Sequence, residues 1–534
     1  MNETTGGGTS DVGSVTHQGR ILWVDDEVDM LRPHTRLLTS SGYDVDTVMN
    51  GNDALELLEA ESYDLVLLDE QMPGLRGIEV LERMRRRGRR VPVVMVTKSE
   101  ADSTMHEAIG REVDDYIVKP TSPRQVLSVV TRLLAGAKLR HERIAREFTS
   151  GFGELRRRVT MAESWRDWTD LFSRMVDWEL GLDSAGETDL LEVLDTLRRD
   201  VRREFCDMVC ARYPGWVNEN AADAPPLSVD VMSEFFAPLL SAGEPVMLVV
   251  IDCLRLDQWR AIAPSLADYF EIDEALHASI LPTATPFSRN AIFSGLFPDE
   301  IEARRPGWYE SGEDEGYNTF EGELLKDHVR ELAGRDIQTH YEKVFTNDQG
   351  QSMLQRLPGY LSSPSVTALV FGFVDLLTHG RSESRLIFEV ARDAGALRSL
   401  TVTWFERSAA LGALREASRR GVRVLLTTDH GSIHCNRPAT VFARRDATQN
   451  LRYKFGRDLR VEDPSTAFVV SDASALRLPD RGYRNNYALC REDHYFVYPT
   501  KLREYQSRYR DSFLHGGVSP EEMILPVALL TPRS

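Results

Sequence analysis

The chain has 534 residues, more than a single core holds, and roughly 100–200 residues per domain predicts about three domains. Lys and Arg total 64 against 83 Asp and Glu, a net charge of −19, which argues against a protein whose main partner is a nucleic-acid backbone. Five cysteines without a CxxC pair argue against a disulfide framework or a cysteine-rich zinc site and fit a reducing cytoplasm.

Residues 1–18 lack an apolar h-region and read as a disordered leader, not a signal peptide. Over 19–136, the strand-like runs ILWV, YDVDTV, LVLL, VPVVMV and YIV alternate with helical patterns such as LRPHTRLLTSSG and GNDALELLEAE. That alternation predicts a doubly wound, five-stranded parallel sheet of the flavodoxin-like class. Over 137–243 the strands stop. Phe148, Phe152, Leu155 and Val159, then Leu190, Leu191, Leu194, Leu197, Val201 and Phe205, recur at helical spacing and predict a linking bundle of about three helices. GLDSAG (181–186) and AADAPP (221–226) are the expected breaks. Over 244–534 buried-strand candidates return as VMLVVI, VTALVFGFV, VRVLLTT and MILPVALL, which predicts a second, larger α/β domain. The longest of these aliphatic runs, VMLVVI, falls far short of the roughly 20 apolar residues that span a bilayer.

Ligands of parallel sheets bind at the carboxyl ends of the strands. In the first domain those ends carry Asp25 and Asp26, Asp69, Thr97, and Lys119. Three converging carboxylates repel unless a hard cation such as Mg²⁺ sits among them, and a carboxylate beside Mg²⁺ can attack a phosphoryl donor. The pieces WVDDE, LVLLDEQMPGLRG, VTKSE and YIVKP resemble the receiver domain of two-component response regulators. The resemblance implies Asp69 as phospho-acceptor, with Asp25, Asp26, Asp69 and the Gln71 carbonyl serving Mg²⁺. It makes Thr97 and Lys119 the sensors of the phosphoryl group and Tyr116 the switch aromatic.

In the last domain the run ends are followed by Asp252, by Asp375 with His379 four residues on, by Asp429 with His430, and FLHGG places His515 before the final strand. Six mixed imidazole and carboxylate donors suit two Zn²⁺ ions better than one, with Mn²⁺ or Fe as other possibilities. In SILPTATPFSRNAIFSG, hydroxyls precede a helix-like run, a favourable place for an anion. The set Asp252, PTATP, DxxxH, DHG and HGG resembles the PglZ branch of the alkaline phosphatase superfamily and shares the pattern of nucleotide pyrophosphatase/phosphodiesterases. This implies Thr285 as nucleophile, with Thr283 the lesser alternative. It also implies one zinc on Asp252, Asp429, His430 and Thr285, a second on Asp375, His379 and His515, and Arg289 or Asn290 on phosphoryl oxygens. Glu521 and Glu522 read as a solvated turn, Arg304 and Arg305 as surface, and His277, His328, His340, His434 and His494 as ordinary.

Receiver, helical link and PglZ domain in one chain resemble PorX-type response regulators of the type IX secretion system. That implies a membrane histidine kinase of the PorY kind, contact with an extracytoplasmic-function sigma factor or the secretion machinery, and a homodimer on phosphorylation. It also implies a metal-dependent phosphodiesterase for oligonucleotide or cyclic-nucleotide substrates, located in the cytoplasm. The competing expectation is a non-catalytic docking module with structural zinc. No helix-turn-helix follows the receiver, so sequence-specific DNA binding is not expected.

Overall fold

Aliphatic and β-branched runs between residues 19 and 118 become five parallel strands because both faces of each must be covered by helices. In the computed structural model, which describes residues 18–86, 91–98, 113–219, 221–240, 243–308, 318–383, 385–444, 447–479 and 486–533, these are β1 (Gly19–Val24), β2 (Tyr43–Val48), β3 (Leu65–Asp69), β4 (Val93–Thr97) and β5 (Asp115–Val118). Their order is 2-1-3-4-5, the doubly wound order in which β1 and β3 flank the crossover point. One face of the sheet is packed by α1 (Arg32–Ser40), the other by α2 (Gly51–Ala60) and α3 (Gly77–Arg86). The expected leader, residues 1–17, lies outside the described residues.

Three long helices follow: α4 (Pro123–Val159), α5 (Trp165–Ala185) and α6 (Thr188–Asn218). Ser164 starts α5 with a capping box to Asp167, which satisfies two otherwise orphaned end groups reciprocally. The expected break GLDSAG proves shorter than its six residues. The helix runs through Gly181 to Ala185, and only Gly186, at φ 70°, leaves it. The predicted stripes face inward: Phe148, Leu155, Leu194, Leu197, Val201 and Phe205 are buried. Compactness divides the chain at Met1–Arg146 and Glu147–Ser534, which places α5 and α6 in one compact unit with the C-terminal sheet.

That domain is built on a six-stranded sheet of β6 (Val246–Ile251), β7 (Phe270–Ala278), β8 (Gln338–Val344), β9 (Ser365–Phe371), β10 (Arg423–Thr427) and β11 (Ile524–Pro532). Its order is β7-β11-β10-β6-β9-β8. The four strands from β10 to β8 run parallel, and β11 lies antiparallel between β7 and β10. Every residue of β6 and β9 is buried, which is why these strands read as continuous apolar runs without alternation. The strand run LVFGFV ends sooner than expected: β9 stops at Phe371, and Asp375 lies in the first turn of helix α7 (Phe373–Glu383).

His277 on β7 is wholly buried, with Nε2 3.2 Å from the Thr428 carbonyl and Nδ1 without a partner. Burial pushes its pKa down to about 4. The folded state keeps the imidazole neutral while the unfolded chain protonates it below about 6.5, so the associated stability is present above pH 6.5 and lost as pH falls toward 4. Comparing urea unfolding of the wild type and His277→Gln, we expect the wild type to lose about 3 kcal/mol relative to the variant between pH 7 and pH 4.

Candidate phosphoryl and metal sites

The receiver pocket forms because β1, β3, β4 and β5 end side by side. Asp25 follows β1, Asp69 and Thr97 close β3 and β4, and all three are buried. Lys119, just past β5, donates to Asp25 Oδ2 at 2.9 Å and to Asp69 Oδ2 at 2.8 Å. Carboxylate oxygens of Asp25, Asp26 and Asp69 lie within 4.8 Å of one another. Burial raises the pKa of Asp69, against the pull of the Lys119 ammonium. The Gln71 amide is 3.4 Å from Asp69 Oδ1, which puts that residue on the same rim, and Tyr116 packs half-buried against the core cluster on one face of the sheet. Gly77 is required beneath, since a Cβ there would meet the Asp69 carbonyl at 2.3 Å.

In the C-terminal domain the six predicted donors gather as two triplets, Asp252–Asp429–His430 and Asp375–His379–His515, each with ligand atoms within 4.8 Å. Asp252 follows β6 and Asp429 follows β10, adjacent parallel strands. Asp375 and His379 sit one turn apart on α7, so the DxxxH spacing is a helical one that puts both on a single face. The two triplets adjoin: His430 and His515 stack with ring centroids 4.2 Å apart, and His515 Nε2 is 3.0 Å from His379 Nε2. Second-nitrogen contacts orient two of the rings, His430 Nδ1 with the Gly431 carbonyl at 3.1 Å and His515 Nδ1 with the Thr283 carbonyl at 3.3 Å. Each Nε2 is thereby turned inward as a lone pair.

Thr285 is the first residue of helix α8 (Thr285–Ser294), and its Oγ1 lies 3.0 Å from His430 Nε2 and 3.4 Å from Asp252 Oδ1. Thr283 is placed differently: its buried hydroxyl donates to the Gly517 carbonyl at 2.9 Å and accepts from the Gly516 amide at 3.1 Å. The expectation that Arg289 and Asn290 offer donors to phosphoryl oxygens is not met in this arrangement. Arg289, one turn beyond Thr285, is buried and ion-paired with Asp252 and with Glu321 at 2.6 Å, and the Asn290 amide donates to the Pro286 carbonyl and to Asn318. The helical step sets Arg289 beside three carboxylates that it must neutralise, Asp252, Glu321 and, at 3.7 Å, Asp429.

The electrostatics are those of a cation site. Burial, reinforced by the Asp252 charge, raises Asp429 well above the carboxylate range. Asp375 is pushed up to about 6 by burial, with His379 opposing and Asp252 adding. His515 is held neutral by burial and by His430 and His379. Asp252 alone is lowered, because Arg289 and His430 outweigh its burial. Asp375 Oδ1 and Asp429 Oδ2 are buried without a hydrogen bond. A divalent cation is the partner that would reverse the acid shifts and satisfy both atoms, and the N/O donor set fits zinc.

Two features went unread in the sequence. Glu522, expected on a solvated turn, is wholly buried and ion-paired with the equally buried Arg452, and it accepts from the Gly517 amide at 2.9 Å and from Thr283 Oγ1 at 3.3 Å. Glu521 is also sheltered, at 12% side-chain exposure, against Arg202. The correction is physical: the last turn folds under the His515 loop, where Gly517 has no room for a Cβ (2.4 Å from the Cys490 carbonyl). Glu321, buried against Arg289 and 3.0 Å from Lys343, carries no local sequence signal at all.

With this geometry in hand, family comparisons match residues 21–131 to the response regulator receiver domain, 138–217 to the PorX response regulator linker domain, and 231–530 to the BREX system PglZ alkaline phosphatase-like domain. The chain belongs to the PglZ alkaline phosphatase-like family. With its receiver and linker it is a PorX-type response regulator. The receiver is 38% identical over 122 residues to the transcriptional regulatory protein ResD of Bacillus subtilis, covering 23% of this chain and 50% of ResD. It is likewise 38% identical over 122 residues to the alkaline phosphatase synthesis regulator PhoP of the same organism, covering 22% and 50%. The chain thus spans about half the length of these relatives. Among solved structures, the response regulator TrrA of Thermotoga maritima in complex with Mg²⁺–BeF is 32% identical over 21% of this chain and 97% of its own, with a TM-score of 0.20. A Francisella receiver domain is 26% identical over 22% and 97%, with a TM-score of 0.21. Among the described residues no helix is long and apolar enough to cross a membrane.

Removing one half of a buried ion pair strands the other charge, a loss of about 3–5 kcal/mol. Arg452→Met should therefore lower the urea midpoint of the PglZ domain by that equivalent, and adding Glu522→Gln should recover part of it.

Proposed function

We propose that this chain is a two-component regulator in which phosphorylation of Asp69 controls a di-zinc phosphodiesterase in the PglZ domain. The observation that carries the reading is Thr285: a hydroxyl at a helix N-terminus, within 3.4 Å of members of the Asp252–Asp429–His430 triplet, with the second triplet adjoining. A docking surface needs no hydroxyl there.

Asp252, Asp429 and His430 would hold one ion beside Thr285, and Asp375, His379 and His515 the other. When bound, two such ions supply Lewis-acid charge for an in-line phosphoryl displacement. The chain's own part is nucleophilic catalysis. Thr285 Oγ1 loses its proton to solvent and attacks phosphorus while the ester oxygen opposite leaves and takes up a proton, so that a phosphothreonine forms; water then displaces Thr285 Oγ1 from phosphorus, and the proton it releases restores the hydroxyl. The positive end of α8 favours the anion at that position. His379, with 53% of its side chain exposed, marks the open side from which a substrate enters. Family resemblance favours diesters of oligonucleotides or cyclic nucleotides, a membrane kinase of the PorY kind, a cytoplasmic location and an output in type IX secretion. That output would run through its machinery or a sigma factor.

In the receiver, Asp25, Asp26, Asp69 and the Gln71 carbonyl would hold Mg²⁺. A phosphoryl group on Asp69 adds a dianion that Thr97 and Lys119 are placed to follow, repacking the sheet face that carries Tyr116 and favouring a homodimer.

Hydrolysis of bis-p-nitrophenyl phosphate by the zinc-loaded protein should fall at least about a thousandfold in Thr285→Val with zinc content unchanged. Zinc retained but no hydrolysis by the wild type would instead favour the docking reading. Beryllofluoride with Mg²⁺ should change sedimentation or turnover of the wild type and leave Asp69→Asn unaffected; no change in the wild type removes the regulatory half.

A further inference from the structure

The helix α6 touches the PglZ domain in a way that a spacer does not require. Its residues Arg202, Cys206 and Tyr213 are separated by four and seven positions, so they project within one narrow arc of the helix. Tyr213 meets the segment before Thr285, and Cys206 and Arg202 meet the segment after His515, whose turn touches the residue after His430. Tyr213, wholly buried, accepts a hydrogen bond at its Oη from the Leu281 amide at 2.8 Å, four residues before Thr285. The Cys206 thiol donates to the Val518 carbonyl at 3.0 Å, three residues after His515. Arg202 Nε donates to Glu521 Oε1 at 2.8 Å, in a pair whose side chains are each 12% exposed.

Those segments are also tied to one another. The Glu521 carbonyl fills the space where a Cβ of Gly431 would stand, 2.0 Å from that position, and the Gly431 amide donates to the Glu522 carbonyl at 3.1 Å, so the turn beneath Arg202 sets the residue after His430. Glu522 in turn holds the Gly517 amide and the Thr283 hydroxyl, and the Thr283 carbonyl orients the His515 ring. Apolar packing alone would attach α6 to the domain. Three polar contacts, two of them to backbone groups, instead fix where three loops lie.

We propose that α6 is a buttress of the candidate metal site, with Tyr213, Cys206 and Arg202 as positioning residues that act through Leu281, Val518 and Glu521. The proposal rests on the phosphodiesterase reading for its catalytic consequence, but its first readout, zinc affinity, does not. A shift or bend of α6 would then alter the nucleophile segment and both histidine loops together. This gives any signal that reaches the linker a direct mechanical route to turnover.

The test uses the full chain, with zinc affinity measured by competition against a chromophoric chelator and turnover measured on bis-p-nitrophenyl phosphate. Loss of an orienting partner behind a metal ligand costs about 10–100-fold in metal affinity or activity. Arg202→Met should weaken zinc binding at least about tenfold, the near-isosteric Glu521→Gln should reproduce it, and the double variant should be no weaker than either. Tyr213→Phe should lower kcat about tenfold with KM and zinc affinity unchanged, while Arg203→Ala, on the exposed side of α6, should match the wild type. Wild-type zinc affinity in both Arg202→Met and Glu521→Gln overturns the buttress, and so does wild-type kcat in a folded Tyr213→Phe. Weakened zinc binding in these variants alongside a wild type that hydrolyses no diester supports the buttress and sinks the phosphodiesterase reading. A wild type that binds no zinc overturns both.

Discussion

Buried carboxylates repel one another, and that repulsion organises both ends of this molecule. In the receiver, Asp25 and Asp69 share one ammonium from Lys119. In the PglZ domain two buried aspartates and the half-buried Asp375 face three imidazoles and the Arg289 guanidinium, and one oxygen each of Asp375 and Asp429 accepts no hydrogen bond. A cluster of this kind costs stability as it stands, since isolated buried charge is shifted toward its neutral form. It makes physical sense as a site held ready for cations, with the fold supplying the strain and the ligand relieving it. The same cluster in water would simply spread apart; the rigid ends of adjacent parallel strands prevent that.

Much of this was legible in the sequence because strand ends are local features. An apolar run followed by an acid marks a carboxyl end, so Asp25, Asp69, Asp252 and Asp429 could be placed in crevices from neighbouring residues alone. The i,i+4 step of Asp375 and His379 was equally visible, although its meaning changed: it is the pitch of a helix, not the tail of a strand. What stayed hidden depends on distant parts of the chain. Glu522 looks like an exposed turn residue until Arg452, seventy positions away, is brought beneath it. Arg289 looks like an anion ligand until the helix turns it onto Asp252 and Glu321. No local pattern announces either pairing, because each charge is explained only by its partner.

The linker shows the same limit at a larger scale. Its apolar stripes predict helices correctly and say that something packs against them. They do not reveal that the polar residues between the stripes reach specific amides and carbonyls. Arg202, Cys206 and Tyr213 have ordinary identities and ordinary spacing. Only the folded structure shows that these three residues end on segments next to Thr285, His515 and Gly431, so that a segment which reads as a tether packs as part of the PglZ domain.

The placement of β11 has a consequence for biosynthesis. This strand is made after every other strand of its sheet, yet it is threaded between β7 and β10 in the middle of the sheet's antiparallel portion. Until it leaves the ribosome, two strands present open edges with unpaired backbone groups, a known invitation to misassociation. A nascent chain stalled before residue 524 would therefore be a ward of chaperones. The receiver, by contrast, closes its own sheet from strands that all precede residue 119, so its pocket can form before any strand of the PglZ sheet has been made.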